Sequence, residues 1–105
     1  MDESRIAMFK EVLQTDPNDP MVYFGLGQEY MRQGSFAEAI EAFENAVRLN
    51  PQYSAAYRSL GECLEKTGQG PKAKEAYEKG IPIAEKLGDL EAAKAMKAFL
   101  KRLHL

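Results

Sequence analysis

Tryptophan is absent, cysteine and histidine occur once each, and no apolar run approaches the roughly twenty residues that cross a bilayer. Each shortage removes a class of function. The one cysteine, Cys63, has no intramolecular disulfide partner, and the one histidine, His104, cannot supply the other ligands of a zinc site. A Ser/His/Asp set would depend on that terminal histidine, and paired catalytic carboxylates would have to come from acids at solvated helix positions. The chain is therefore read as a non-enzyme, with no metal, cofactor or small-molecule substrate. Gly25-Leu26-Gly27 and Gly68-Gln69-Gly70 follow no strand, and Pro71 comes directly after the second, so neither has the context of a phosphate cradle. The start, Met1-Asp2-Glu3-Ser4-Arg5, is unlike a basic segment leading into an apolar signal core. A soluble, cytoplasmic protein with no membrane partner is expected.

What is present is an ordinary globular composition, 45% hydrophobic and 29% charged in 105 residues, enough for one continuous core. A net charge of −2 conceals an asymmetry. The first fifty residues hold nine acids and four bases, the remaining fifty-five seven acids and ten bases. Such a dipole either steers a charged partner or a second copy, or reflects solvated helix faces. Net negative charge, with no aromatic and basic residues interleaved on a sheet, argues against a nucleic-acid partner.

Tyr23, Leu26, Gly27, Tyr30, Ala39, Phe43 and Ala46 recur thirty-four positions later as Tyr57, Leu60, Gly61, Leu64, Ala73, Tyr77 and Gly80. A fixed period of this size marks a repeat architecture, whose units cannot bury their apolar faces alone. Local signals divide the chain into helices. Ile6, Phe9, Val12 and Leu13 follow helical spacing behind Asp2 and Glu3, and that helix stops before Asp16-Pro17. Asp19-Pro20 caps a second helix with the stripe Tyr23, Leu26, Gly27 and Tyr30, ending at Gly34. Ser35 and Glu38 form a capping-box pattern before Ala39, Ile40, Phe43, Ala46 and Val47, and Asn50-Pro51 ends the third. A fourth helix runs from Ser54 through Tyr57, Leu60, Gly61 and Leu64 to Gly68, in the C′ position. The fifth opens at Gly70-Pro71 and extends to Leu87, with a kink predicted between Glu78 and Pro82. Asp89 begins a last helix whose face is Leu90, Ala93, Met96, Leu100 and Leu103, widened by Ala92, Phe99 and Leu105, with Lys94, Lys97, Lys101 and Arg102 on its basic outer side.

The order aromatic, x-x-Leu-Gly, x-x-Tyr, Ala-x-x-x-Phe and then Pro51 resembles the tetratricopeptide repeat. The resemblance implies an all-α, right-handed superhelical array of antiparallel helix pairs, an α-solenoid of about six helices in a single domain. Its expected parts are a half-repeat helix in 1–19, repeat one in 20–53, repeat two in 54–87 and a terminal capping helix in 88–105. Repeat two departs from the pattern at Gly70, Gly80 and Glu85, where repeat one has Phe36, Ala46 and Pro51. The resemblance also implies that the paired helix approaches Gly27, with Ala39 on the other side, and that Cys63 occupies a small buried position.

In such repeats the first helices line a concave surface. Met21, Phe24, Gln28, Met31 and Arg32 are thus expected to border a groove, continued by Ala55, Arg58, Glu62, Glu65 and Lys66 and bounded near Met96. Phe24 and Met31 beside Arg58 would offer two apolar anchors and a charge. Alternatively, Phe24 packs against the neighbouring first helix while Arg58, Glu62 and Lys66 neutralise one another at i,i+4 spacing. Chaperone-binding members hold terminal carboxylates with lysine and asparagine in the first repeat. Here Phe24, Gln28, Arg58 and Glu62 stand at the corresponding places, and only Arg58 fits. The function implied is a scaffold or adaptor that binds a peptide or protein segment in the groove. The alternative is structural self-association, a homo-oligomer formed through the unmatched first helix and the face around Phe99 and Leu103.

Overall fold

Six helices follow one another among the described residues, with no strand. They are α1 (Asp2–Thr15), α2 (Pro20–Gln33), α3 (Phe36–Leu49), α4 (Ser54–Lys66), α5 (Gly70–Leu87) and α6 (Leu90–Leu103). The structure is a computed structural model that describes the backbone of residues 2–103 and the side chains of residues 4–103. His104 and Leu105, assigned above to the chain end and to the terminal face, lie outside the described residues.

Helix ends follow the local chemistry of the sequence. Asp19 is extended and its Oδ1 accepts from the Met21 N–H at 2.9 Å, opening α2. Gly34 and Gly68, at φ 81° and 74°, reach the left-handed region that closes α2 and α4. The following N–H groups complete those ends, Ser35 to the Tyr30 carbonyl at 2.9 Å and Gln69 to Leu64 at 2.8 Å. Ser35 does not form the predicted capping box. It occupies the N-cap of α3, but its side chain caps nothing; its backbone N–H is engaged in closing α2. Across Pro82, α5 continues to Leu87 as one uninterrupted 18-residue helix.

Successive helices pack against each other, α2 on α3, α3 on α4, α4 on α5 and α5 on α6, while α2, α4 and α6 also touch along one side. The 19 Å shortest dimension of the array accommodates two helical layers. The core runs between them through Phe43, Leu60, Cys63, Leu64, Tyr77 and Met96, with a smaller cluster of Ile6, Leu26 and Ala42 at the α1 end. At Gly27 and Gly61 the ring of the next helix, Phe43 and Tyr77 respectively, lies where a Cβ would be, at 2.6 and 2.1 Å. The paired helix α3 thus approaches Gly27 as expected, and the three atoms nearest to the missing Cβ all belong to the Phe43 ring. An aromatic lid on a missing side chain is what recurs with the thirty-four-residue period.

The period breaks at α6. The residues that cap α2, α4 and α6 are Asp19, Tyr53 and Asp89, spaced thirty-four and then thirty-six. Without a proline at the Pro51 position, α5 is 18 residues long where α3 is 14, and α6 starts two positions late. Leu26 and Leu60 accordingly correspond to Met96, and all three are buried, Met96 completely. Met96 Sδ lies 2.6 Å from where a Gly80 Cβ would stand. The expectation that Met96 bounds the groove is corrected: it is core, because it lies on the apolar face of its helix, whose register the longer α5 shifts by two residues.

Leu90, expected on the packed face, is 68% exposed. Met8 and Val12 on α1 are exposed as well, since no preceding helix covers them among the described residues. Among those residues no helix is long and apolar enough to cross a membrane.

Candidate functional site

Side chains of α2, α4 and α6 line two hollows that meet at Glu62. The larger, about 500 Å³, lies between α2 and α4 and is lined by Phe24, Gln28, Met31, Arg32, Ala55, Arg58, Ser59 and Glu62. The second, about 350 Å³, lies between α4 and α6 and is lined by Glu62, Glu65, Lys66, Phe99 and Arg102. Together they form a groove along one side of the array. Nine of the eleven sequence-predicted groove residues meet there: Phe24, Gln28, Met31, Arg32, Ala55, Arg58, Glu62, Glu65 and Lys66. Met21 is outside, 71% exposed at the start of α2, and Met96 is in the core.

Phe24 is held from below. Its ring lies 5.0 Å from Tyr53 and 5.7 Å from Phe43, between centroids, so it is half-buried and turns only part of its surface to the hollow. Both readings of this residue contain part of the geometry, since packing fixes the ring that floors the groove. Arg58 Nε donates to Glu62 Oε1 at 3.3 Å, one turn apart. Lys66 does not join that pair, and no ion pair forms on it among the described residues.

Glu65 is the most connected groove residue. One carboxylate oxygen accepts from Arg102 Nη2 at 2.6 Å, and the other accepts the Tyr77 hydroxyl. The Arg102 guanidinium also stacks 4.9 Å above the Phe99 ring centroid, and Phe99 lies 5.5 Å from Tyr77. Burial, then the hydrogen bond to the Glu65 carboxylate, push the Tyr77 hydroxyl well above the usual phenol range. This cluster ties α4, α5 and α6 together, and it turns Phe99 inward.

At the other end, Glu29 is 5% exposed on α2. Its Oε2 faces Arg5 Nη1 at 3.5 Å and Arg32 Nη2 at 3.6 Å, while Oε1 has no hydrogen-bond partner. Sequence reasoning missed this buried acid, along with Ser59, Phe99 and Arg102 in the groove. A corrected register would have found Arg102, because it occupies in α6 the place of Arg32 in α2 and Lys66 in α4.

Cys63 is fully buried, and burial pushes its thiol up to about 11. At pH 8 only about one molecule in a thousand would carry the thiolate. Ellman's reagent should therefore leave the native protein unmodified for hours and react at once in 6 M guanidinium. Rapid native labelling would overturn the packed-thiol assignment.

A family model described as Tetratricopeptide repeat matches residues 24–87, more than half of the chain. The chain belongs to the tetratricopeptide-repeat family. No curated protein has significant sequence similarity to it. Among solved structures, the Sgt2 tetratricopeptide-repeat domain from Aspergillus fumigatus is 30% identical, with a TM-score of 0.81 over 93% of this chain and 62% of that one. The type III secretion translocator chaperone SycD of Yersinia enterocolitica is 16% identical, with a TM-score of 0.92 over 97% of this chain and 71% of that one. The TPR2B domain of yeast Sti1, in a complex with pHsp70, is 16% identical, with a TM-score of 0.86 over 93% and 78%. At 16% the likeness concerns the fold. In the all-α solenoid of this chain, α6 lines the groove beside α2 and α4 as a third such helix.

Proposed function

We propose that this tetratricopeptide-repeat protein binds a peptide or protein segment in the groove of α2, α4 and α6, acting as a scaffold or adaptor without catalysis. One observation carries the reading: two adjoining hollows that share Glu62, lined by apolar Phe24, Met31 and Ala55 together with charged side chains and built from helices already held in place by the core. A preformed groove spares a partner much of the ordering cost of association. The Sti1 domain, in a complex with pHsp70, supports peptide or protein binding on this fold.

The test is an affinity capture with three proteins: wild type, the groove variant Gln28→Lys/Arg58→Glu, and the back-face variant Glu75→Lys/Lys79→Glu. All must show the same helical circular dichroism. Partners recovered with wild type and the back-face variant, and reduced at least tenfold with the groove variant, are the expected result. Equal recovery with all three removes the groove from the function.

A second reading is favoured by α1. Ala7, Met8 and Val12 line an open hollow of about 420 Å³, with Met8 57% exposed, a face on which a second copy could dock. Phe99 and Leu103 do not offer an equivalent end, because both pack onto the core. Light scattering on a size-exclusion column decides the matter, since a stable monomer at micromolar concentration excludes assembly as the main role.

A further inference from the structure

The groove has the opposite charge to the rest of the molecule. Its lining holds four cations, Arg32, Arg58, Lys66 and Arg102, against two anions, Glu62 and Glu65, an excess of two positive charges. The whole chain stands at −2, so everything outside the groove stands at −4. The two anions are already engaged, Glu62 by Arg58 at 3.3 Å and Glu65 by both Arg102 and the Tyr77 hydroxyl.

The cations are ordered. Measured from the caps of α2, α4 and α6, Arg32, Lys66 and Arg102 occupy the same position in three successive first helices, one rung per helix. A base in the last turn complements the helix dipole, and that alone would place cations there. At α2 and α4, however, the final carbonyls already receive the N–H groups of Gly34, Ser35, Gly68 and Gln69, and all three bases line the hollows. Arg32 shares the buried Glu29 with Arg5, two guanidiniums on one carboxylate, and Lys66 has no ion pair among the described residues. A basic partner would have to displace an existing pair and approach this row. An acidic one meets donors with capacity to spare, since Arg102 presents further N–H groups beyond the one on Glu65.

We propose, on the groove reading above, that the partner is an internal segment carrying acidic side chains about three residues apart, seated on this row and centred on Lys66, beside an apolar residue on Phe24 and Met31. Neighbouring packed helices lie about 8–10 Å apart. A chain in the polyproline II form advances about 3.1 Å per residue with three residues per turn, so acids at i and i+3 fall on one face about 9 Å apart. The ligand is recognised through side chains. On the α2 side a terminal carboxylate would find no charged donor, since Phe24 is a ring and Gln28 offers only a neutral amide.

The probe is a library of random twelve-residue peptides, each displayed between two scaffold segments so that no free terminus is offered, selected on wild-type protein. Enriched sequences should carry Asp or Glu at i,i+3 next to Leu, Met or Phe. A synthetic peptide of the leading sequence, with blocked ends, should bind about tenfold more weakly to Lys66→Glu, a change at an exposed side chain with no ion pair to lose among the described residues. It should lose nothing against Glu75→Lys on the opposite face. Replacing its acids with Asn or Gln should make wild type and Lys66→Glu equal. Acid-poor binders that ignore Lys66→Glu but are lost with Gln28→Lys/Arg58→Glu overturn the acidic row and leave the groove reading standing. No enrichment, or binders indifferent to both variants, overturns both.

Discussion

Tyr77→Ala is expected to lower the unfolding free energy by about 3–5 kcal/mol, the usual cost of emptying a buried aromatic site. The ring is fully buried, fills the space left by Gly61 and meets Phe99 at 5.5 Å. Glycine cannot move in to close that space, since the two helix backbones are held apart by their other contacts. Stabilities of small domains are about 5–15 kcal/mol, so much of the margin would go. Tyr77→Phe keeps the ring and removes only the hydroxyl. Glu65 retains Arg102, and the cost should be about 1 kcal/mol. Urea unfolding followed by circular dichroism separates these results. Equal losses for the two variants would mean that the hydroxyl, and not the ring on Gly61, holds α4 to α5.

Met96→Ala is the second large effect, expected to cost about 2–5 kcal/mol. Met96 is completely buried, and its sulfur and methyl fill the gap over Gly80 beside Tyr57. Methionine suits such an irregular space, being unbranched and adaptable, so Met96→Leu should cost less than about 1.5 kcal/mol. The same urea experiment reports it. A loss below about 0.5 kcal/mol, typical of surface positions, would return Met96 to the groove rim and with it the thirty-four-residue register of α6. The register of the basic row would fall too, because Arg32, Lys66 and Arg102 correspond only if Leu26, Leu60 and Met96 do.

The helices and most of their ends were legible because their causes are local. Asp19 meets an N–H two residues away, and Gly34 and Gly68 take the left-handed conformation within their own turns. Ser35 shows the limit of such signals. Its capping-box sequence is intact, yet its side chain caps nothing, and its own N–H, which Glu38 would take in a capping box, belongs to the end of the preceding helix. Phe24, Gln28, Arg58 and Glu62 could be placed on one side from helical period and repeat register, two regularities that hold while the repeat length is constant.

By itself, the sequence determined the order of the helices and which residues share a face of α2 and α4, because spacing along the chain fixes the face of a helix; that this face borders a groove was implied by the resemblance to the tetratricopeptide repeat. Tertiary structure alone decided how far the groove extends and what charge it shows. The two extra positions before α6 set its register against α4, bringing Arg102 to the rim while Met96, already on the apolar face of its helix, fills the core. Whether Glu62 and Glu65 stand open depends on cations four and thirty-seven residues away, and Glu29 is buried between side chains of two helices. Such pairings follow from packed helix rotations and distances, which no run of neighbouring residues encodes.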